Sequence, residues 1–204
     1  MVGIGFSFRN IQKISEKRNE VRFSILIKMA KNKIILLCFF LTLSIISLPI
    51  QNTRDRVVKI YQGEIGVREK TGQNDGERVE EYLHTVGHKK GAPWCAAFVS
   101  WVFKEAGVIA VKSAWSPAWF PALNIVYTRG ANKNKIPDSG DVFGIYFQNL
   151  KRIAHVGFID DWQQTTSFTI TVEGNTNDIR SREGDGVYRK RRLKNQIYKV
   201  SRWL

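Results

Sequence analysis

The sequence predicts an α+β fold, with helices first and an antiparallel sheet after them. Three observations carry that expectation. Apolar residues recur at helical spacing in three stretches before Gly107. Beyond Pro137 they fall into short runs divided by turn residues, which is a strand pattern. The two patterns are segregated along the chain rather than alternating, so a helix layer packed on a meandering sheet fits better than repeated βαβ units.

The elements follow in order. In residues 55–66, Val57, Val58, Ile60 and Tyr61 are spaced as on a short amphipathic helix. A Gly-, Asn- and Asp-rich loop runs from Thr71 to Gly76. Residues 77–86 place Val79, Tyr82, Leu83 and Val86 on one helical face, with Asp75 as the expected cap and Gly87 as the stop. Residues 94–106 are the clearest helix: Cys95, Phe98, Val99, Val102, Phe103 and Ala106 recur at helical spacing. Pro93 restricts its start and Gly107 ends it. Residues 113–128, with Trp115, Pro117, Trp119, Phe120 and Pro121, read as a rigid loop or short helical turn. Strands are expected over 142–147, 153–162, 167–173 and 186–193, and a last one over 197–203.

Composition narrows the class. With 43% hydrophobic and 12% aromatic residues, the chain can bury a core and is not a disordered polyampholyte. Its 204 residues suit one domain with a short appendage. The formal net charge is +14, of which +6 falls in residues 1–33 and +8 in the rest. A charge of that sign attracts polyanions, an anionic envelope polymer among them. The densest basic run, Arg189-Lys190-Arg191-Arg192, lies in a strand-like stretch and matches no nucleic-acid-binding motif, so nucleic acid is not an expected partner.

Residues 34–48 form an uncharged apolar run preceded by Lys28, Lys31 and Lys33, the layout of an export signal. Met29 stands where a start codon would make that signal compact. Residues 1–28 are therefore expected to be an upstream extension of the reading frame. Residues 29–50 are expected to be a signal peptide or a membrane anchor, and residues 51–204 the working domain. The protein is then exported, to the periplasm or beyond the cell, and touches the membrane only if that segment stays uncleaved. Cys38 lies inside the apolar run and reads as a small hydrophobe. Once the leader is gone Cys95 is left unpaired, which favours a chemical role over a structural disulfide.

Cys95 begins a helix, where partial positive charge and unpaired amides favour a thiolate and can hold an oxyanion. His155 interrupts an apolar strand, Ile153-Ala154-His155-Val156-Gly157. The next strand ends Glu173-Gly174-Asn175-Thr176. With a turn centred between Gln164 and Thr165, His155 falls opposite Gly174, and a slip of one residue brings Glu173 or Asn175 beside it. Either could orient the imidazole. His84 and His88 stand four apart, but without a His-Glu-x-x-His pattern they read as surface residues. No metal site and no cofactor is expected.

These motifs together resemble one family. Gly91-Ala92-Pro93-Trp94-Cys95-Ala96-Ala97-Phe98-Val99-Ser100-Trp101 is similar to the nucleophile motif of the CHAP-domain cysteine peptidases and amidases. Gly140-Asp141-Val142, His155-Val156-Gly157 and Glu173-Gly174-Asn175-Thr176 resemble that family's later motifs in order. The resemblance spans roughly residues 60 to 190. It implies a papain-like α+β fold and hydrolysis of amide bonds in peptidoglycan, by an endopeptidase or, alternatively, an N-acetylmuramoyl-L-alanine amidase. A non-catalytic wall-binding protein is the remaining alternative. Carried over, Cys95 is the nucleophile, His155 the general base, and Glu173 and Asn175 the orienting positions, with Glu173 favoured. Trp94, Trp115 and Trp119 are candidate groove residues. The expected partner is peptidoglycan and the expected state a monomer. Some relatives bind calcium before the nucleophile, but Thr71–Gly76 is too poor in carboxylates to imply a site.

Overall fold

The structure, a computed structural model, describes Met29 and residues 49–132, 134–178 and 184–204. The expectations for the leader and for Cys38 lie outside the described residues. Two units partition the chain, Met1–Pro49 and Ile50–Leu204, and the second carries everything described below. Among the described residues no helix is long and apolar enough to cross a membrane.

Among residues 49–204, the described helices are α1 (Pro49–Gly63), α2 (Glu77–Thr85) and α3 (Cys95–Glu105). Six strands follow: β1 (Ile125–Thr128), β2 (Val142–Phe147), β3 (Arg152–Asp161), β4 (Phe168–Thr176), β5 (Gly186–Leu193) and β6 (Lys199–Ser201). They form one sheet in the order β1-β6-β2-β3-β4-β5, with every neighbouring pair antiparallel. The α+β expectation holds.

Helix α3 is apolar on nearly every side, and it is buried from Cys95 to Phe103. It lies between α2 and the strands β3 and β4. Phe98 and Phe103 meet Phe158 of β3 edge-on, with ring centroids 6.0 and 5.4 Å apart, while Tyr61 of α1 stacks on the same ring at 4.9 Å. Each such buried aromatic contributes about 1.5–3 kcal/mol, so this cluster fixes the helix to the sheet. The opposite sheet face has its own smaller core of Val126, Phe143, Ile159, Ile197 and Val200.

Several local expectations are corrected. Asp75 does not cap α2. Gly76 holds the cap position at φ 109°, and the Asp75 carboxylate instead closes its own loop, accepting from the Thr71 N–H at 2.9 Å and hydroxyl at 2.8 Å. The 113–128 stretch contains two 3₁₀ turns (Ser116–Trp119 and Ala122–Asn124) and then β1, which the aromatic and proline content masked. β1 pairs only with β6, so its signal is non-local. β4 runs three residues further than expected, to Thr176.

Gly174 explains how closely α3 approaches β4. A Cβ there would lie 2.6 Å from the Trp94 ring and 2.9 Å from Phe98. Gly174→Ala is therefore expected to destabilise the fold by about 1–3 kcal/mol and to push the start of α3 away from the sheet. A lower urea midpoint, together with slower alkylation of Cys95, checks this.

Candidate active site

The start of α3 and the middle of β3 bring two sequence-distant groups together. Cys95 is the first residue of α3, 7% exposed, in the turn whose leading amides have no intrahelical partner. His155 and the Val156 backbone amide act on its thiol, both favouring the thiolate. The Ser116 hydroxyl lies 3.8 Å from Sγ, brought there by the 3₁₀ turn after Trp115. Burial pushes the thiol up, but the hydrogen bond and charge of His155, then Ser116 and the Val156 amide, bring it below its ordinary value.

A β-bulge sets the imidazole. The β2–β3 register slips between Ile145 and Tyr146, leaving Ala154 unmatched beside His155. Bulges break alternation and re-aim side chains. Here Ile153, Val156 and Phe158 all join the helix-side core, which strict alternation would forbid, and His155 is released to bridge α3 and β4.

His155 Nε2 lies 2.8 Å from Glu173 Oε2. Phe143 meets the imidazole edge-on at 6.2 Å. Burial pulls the imidazole down, yet the bonds and charges of Cys95 and Glu173 dominate and raise its pKa to about 9.

Glu173 is fully buried and saturated with donors. Thr171 Oγ1 and Arg192 Nε reach Oε1, both at 2.5 Å, and Arg192 Nη2 reaches Oε2 at 2.5 Å. Burial alone would raise its pKa, but Arg192 and His155 hold it well below the usual carboxylate range. The group facing His155 is therefore an anion throughout the neutral range.

Asn175 is placed differently from Glu173. It sits at φ 52°, in a second bulge where the β4–β5 register slips between Glu173 and Thr176. Its Oδ1 accepts the Trp94 N–H at 3.3 Å, and its Nδ2 donates to Asn74 Oδ1 at 2.8 Å and Glu69 Oε1 at 3.4 Å. It thus ties the residue before Cys95 to the preceding loop and makes no bond to the imidazole. Of the three candidate tryptophans, Trp115 is 53% exposed and lines a cavity with Cys95. Trp94 and Trp119 are not groove residues. Both are fully buried, Trp94 against Tyr82 with its N–H on Glu69, and Trp119 stacked on Phe103.

Residues 87–175 match the family model of the CHAP domain. That stretch of the chain is similar to a CHAP domain. No curated protein and no solved structure matches the chain. A CHAP domain implies amidase or peptidase activity of the kind that hydrolyses peptidoglycan. The matched span includes Cys95, His155, Glu173 and Asn175, whereas Arg192 lies beyond it.

Two cavities flank the pair. One, about 330 Å³, is lined by Pro93, Cys95, Trp115, Ser116, Arg152 and Ala154. The other, about 510 Å³, lies on the far side of His155 and includes Phe147, Asn175 and Arg192. A still larger cavity, about 650 Å³, runs along β5 and touches neither Cys95 nor His155. Among the described residues no group of three or more His, Cys, Asp or Glu is placed to hold a metal ion.

Sequence reasoning missed Ser116 and Arg192. Ser116 has no local signal. Arg192 was hidden in the basic run, although period-two alternation separates Lys190 and Arg192 from Arg189 and Arg191. Arg192→Gln is expected to strand the buried Glu173 charge at a cost of about 3–5 kcal/mol, lowering the thermal midpoint by about 10 °C or more. Arg192→Lys, which cannot fork onto both carboxylate oxygens, recovers only part of that. Calorimetry of the three proteins checks it.

Proposed function

We propose that this chain is a cysteine hydrolase that cuts amide bonds within peptidoglycan peptides, an endopeptidase in which Cys95 is the nucleophile, His155 the acid–base and Glu173 the group that orients it. The observation that carries the reading is one imidazole hydrogen-bonded to a buried, arginine-locked carboxylate and coupled to a helix-start thiol whose pKa it lowers. That is the nucleophile–base–orienter arrangement of covalent catalysis.

The thiolate attacks the scissile carbonyl carbon, and the carbonyl oxygen takes up negative charge. The Cys95 backbone N–H, at a helix start, and the Ser116 hydroxyl, 3.8 Å from Sγ, are the donors we assign to that oxyanion. His155, protonated at the outset, gives its proton to the leaving amine as the C–N bond breaks. An acyl-thioester remains. His155, now neutral, takes a proton from water, the hydroxide adds to the thioester carbonyl, and expulsion of the thiolate frees the acid. Glu173 keeps the ring oriented and stabilises its charged form. Asn175 acts one step removed, by fixing the start of α3.

The layout also supports a papain-like reading, since a nucleophile at a helix start packs across an antiparallel sheet that supplies the histidine. We further infer that the protein is exported and works as a monomer, its positive charge favouring the anionic envelope.

The test is digestion of purified peptidoglycan by the full chain, followed by identification of new termini. New amino groups on stem or cross-bridge residues are expected. Freed muramic lactyl carboxyls would instead make it the amidase. Wall binding with an unchanged fragment pattern would leave only a binding protein.

A further inference from the structure

The cavity beside Cys95 carries a cation with no acidic partner. Arg152, the first residue of β3, lays its guanidinium carbon 4.2 Å from the centre of the exposed Trp115 ring. One of its N–H groups donates to the Ile153 carbonyl at 3.1 Å. The other partly buried arginines behave differently. Arg192 sits on Glu173, Arg202 on Asp141, and Arg54 on Asp138 and Asp141. Among the described residues no carboxylate lies within ion-pair reach of Arg152, and the cavity it lines with Cys95 and Ser116 contains no Asp or Glu.

An arginine stacked on an indole keeps its flat face occupied and its edge donors available. That edge matches the two oxygens of a carboxylate. The stacking also reduces the rotamer freedom lost on binding. Trp115 precedes a proline-containing 3₁₀ turn, so the platform is anchored by the same turn that positions Ser116.

We propose that Arg152, held against Trp115, binds a free carboxylate on the substrate residue that occupies this cavity, so that the enzyme selects acidic peptide next to the scissile bond over its amidated form. The proposal rests on the hydrolase reading above and names the chemistry of its substrate.

The experiment compares the full chain with Arg152→Gln and Arg152→Lys on one wall preparation, native or with its carboxylates converted to amides. Wild type is expected to release peptide from native walls about tenfold faster. Arg152→Gln is expected to erase most of that preference by slowing on native walls far more than on amidated ones, and Arg152→Lys to keep part of it. Amidation also weakens general attraction between a cationic protein and the wall, but that effect is common to all three proteins and cancels in the ratio. Equal losses on both walls, or no loss, would overturn the proposal and leave the hydrolase reading standing.

A second readout does not need wall cleavage. Cys95 is alkylated by iodoacetate and by iodoacetamide, which differ by one charge, and the rate ratio should fall several-fold in Arg152→Gln. If wild type cleaves neither wall, the hydrolase reading fails. The alkylation ratio then decides the carboxylate site, an unchanged ratio rejecting it.

Discussion

Replacing Cys95 by Ala is expected to abolish peptide release from walls, with rates about 10⁴-fold or more below wild type, while the protein still melts cooperatively near the wild-type temperature. The side chain lost is small, and the helix it begins is held by Phe98, Phe103 and Trp94 rather than by the thiol. Turbidity clearing, with calorimetry on the same preparation, checks both halves. His155→Ala should approach the same floor, because a nucleophile and its base fail as a unit. Its Cys95 should also react more slowly with iodoacetamide at neutral pH, since the hydrogen bond and charge that lower the thiol pKa are gone. Undiminished clearing by Cys95→Ala would end the cysteine-hydrolase reading.

Glu173→Gln is expected to cost about 10²–10⁴-fold in kcat/KM and to change the shape of the pH profile. In the wild type, Cys95 titrates below its ordinary value and His155 up to about 9, both in the direction that favours a thiolate–imidazolium pair. Activity should rise with pH as the pair forms and fall above about 9, where the imidazolium loses the proton the leaving amine requires. Glu173 contributes both a hydrogen bond and a charge to that elevation. Removing the charge, with Arg192 left uncompensated nearby, should move the alkaline limb down towards the ordinary histidine value of 6.5. A limb that stays put would mean that Glu173 does not hold the proton on His155.

The same shifts have opposite signs in stability. The raised His155 stabilises the fold fully below 6.5, and that contribution is lost as pH climbs through about 9. The depressed Glu173 stabilises the fold above the ordinary carboxylate value of 4.5, and its contribution is lost as pH falls towards the folded one. Glu173→Gln should therefore flatten the acid side of the stability curve.

Much of this arrangement was legible before any coordinates. The helix beginning at Cys95 announces itself through apolar spacing and Gly107, and β2 and β5 match their expected limits. What escaped is non-local. Counting back from a tight turn put His155 opposite Gly174. The observed pairs Phe158↔Val172 and Ile159↔Thr171 are one residue offset from that count, and Asp161↔Ile170 is offset again. A bulge between Ile159 and Asp161 absorbs the difference. Extending the observed register aligns His155 with Asn175 and Gly157 with Glu173. Consistent with that, a Cβ on Gly157 would lie 3.1 Å from Glu173 Cγ. Glu173 reaches the imidazole diagonally along the strand, while the bulge carrying Asn175 turns its amide towards Trp94. Nothing local distinguishes a tryptophan that packs from one that lines a groove: Trp94 and Trp119 fill the core and Trp115 does not.

The groups that lower the Cys95 thiol pKa are His155, Ser116 and Val156, and the nearest of these is 21 positions away along the chain. A chain held extended therefore carries an ordinary thiol, mostly protonated and slow to attack anything. On the proposed reading, tertiary assembly itself arms the thiol. The onset of thiol reactivity would then time the moment at which helix and sheet first dock.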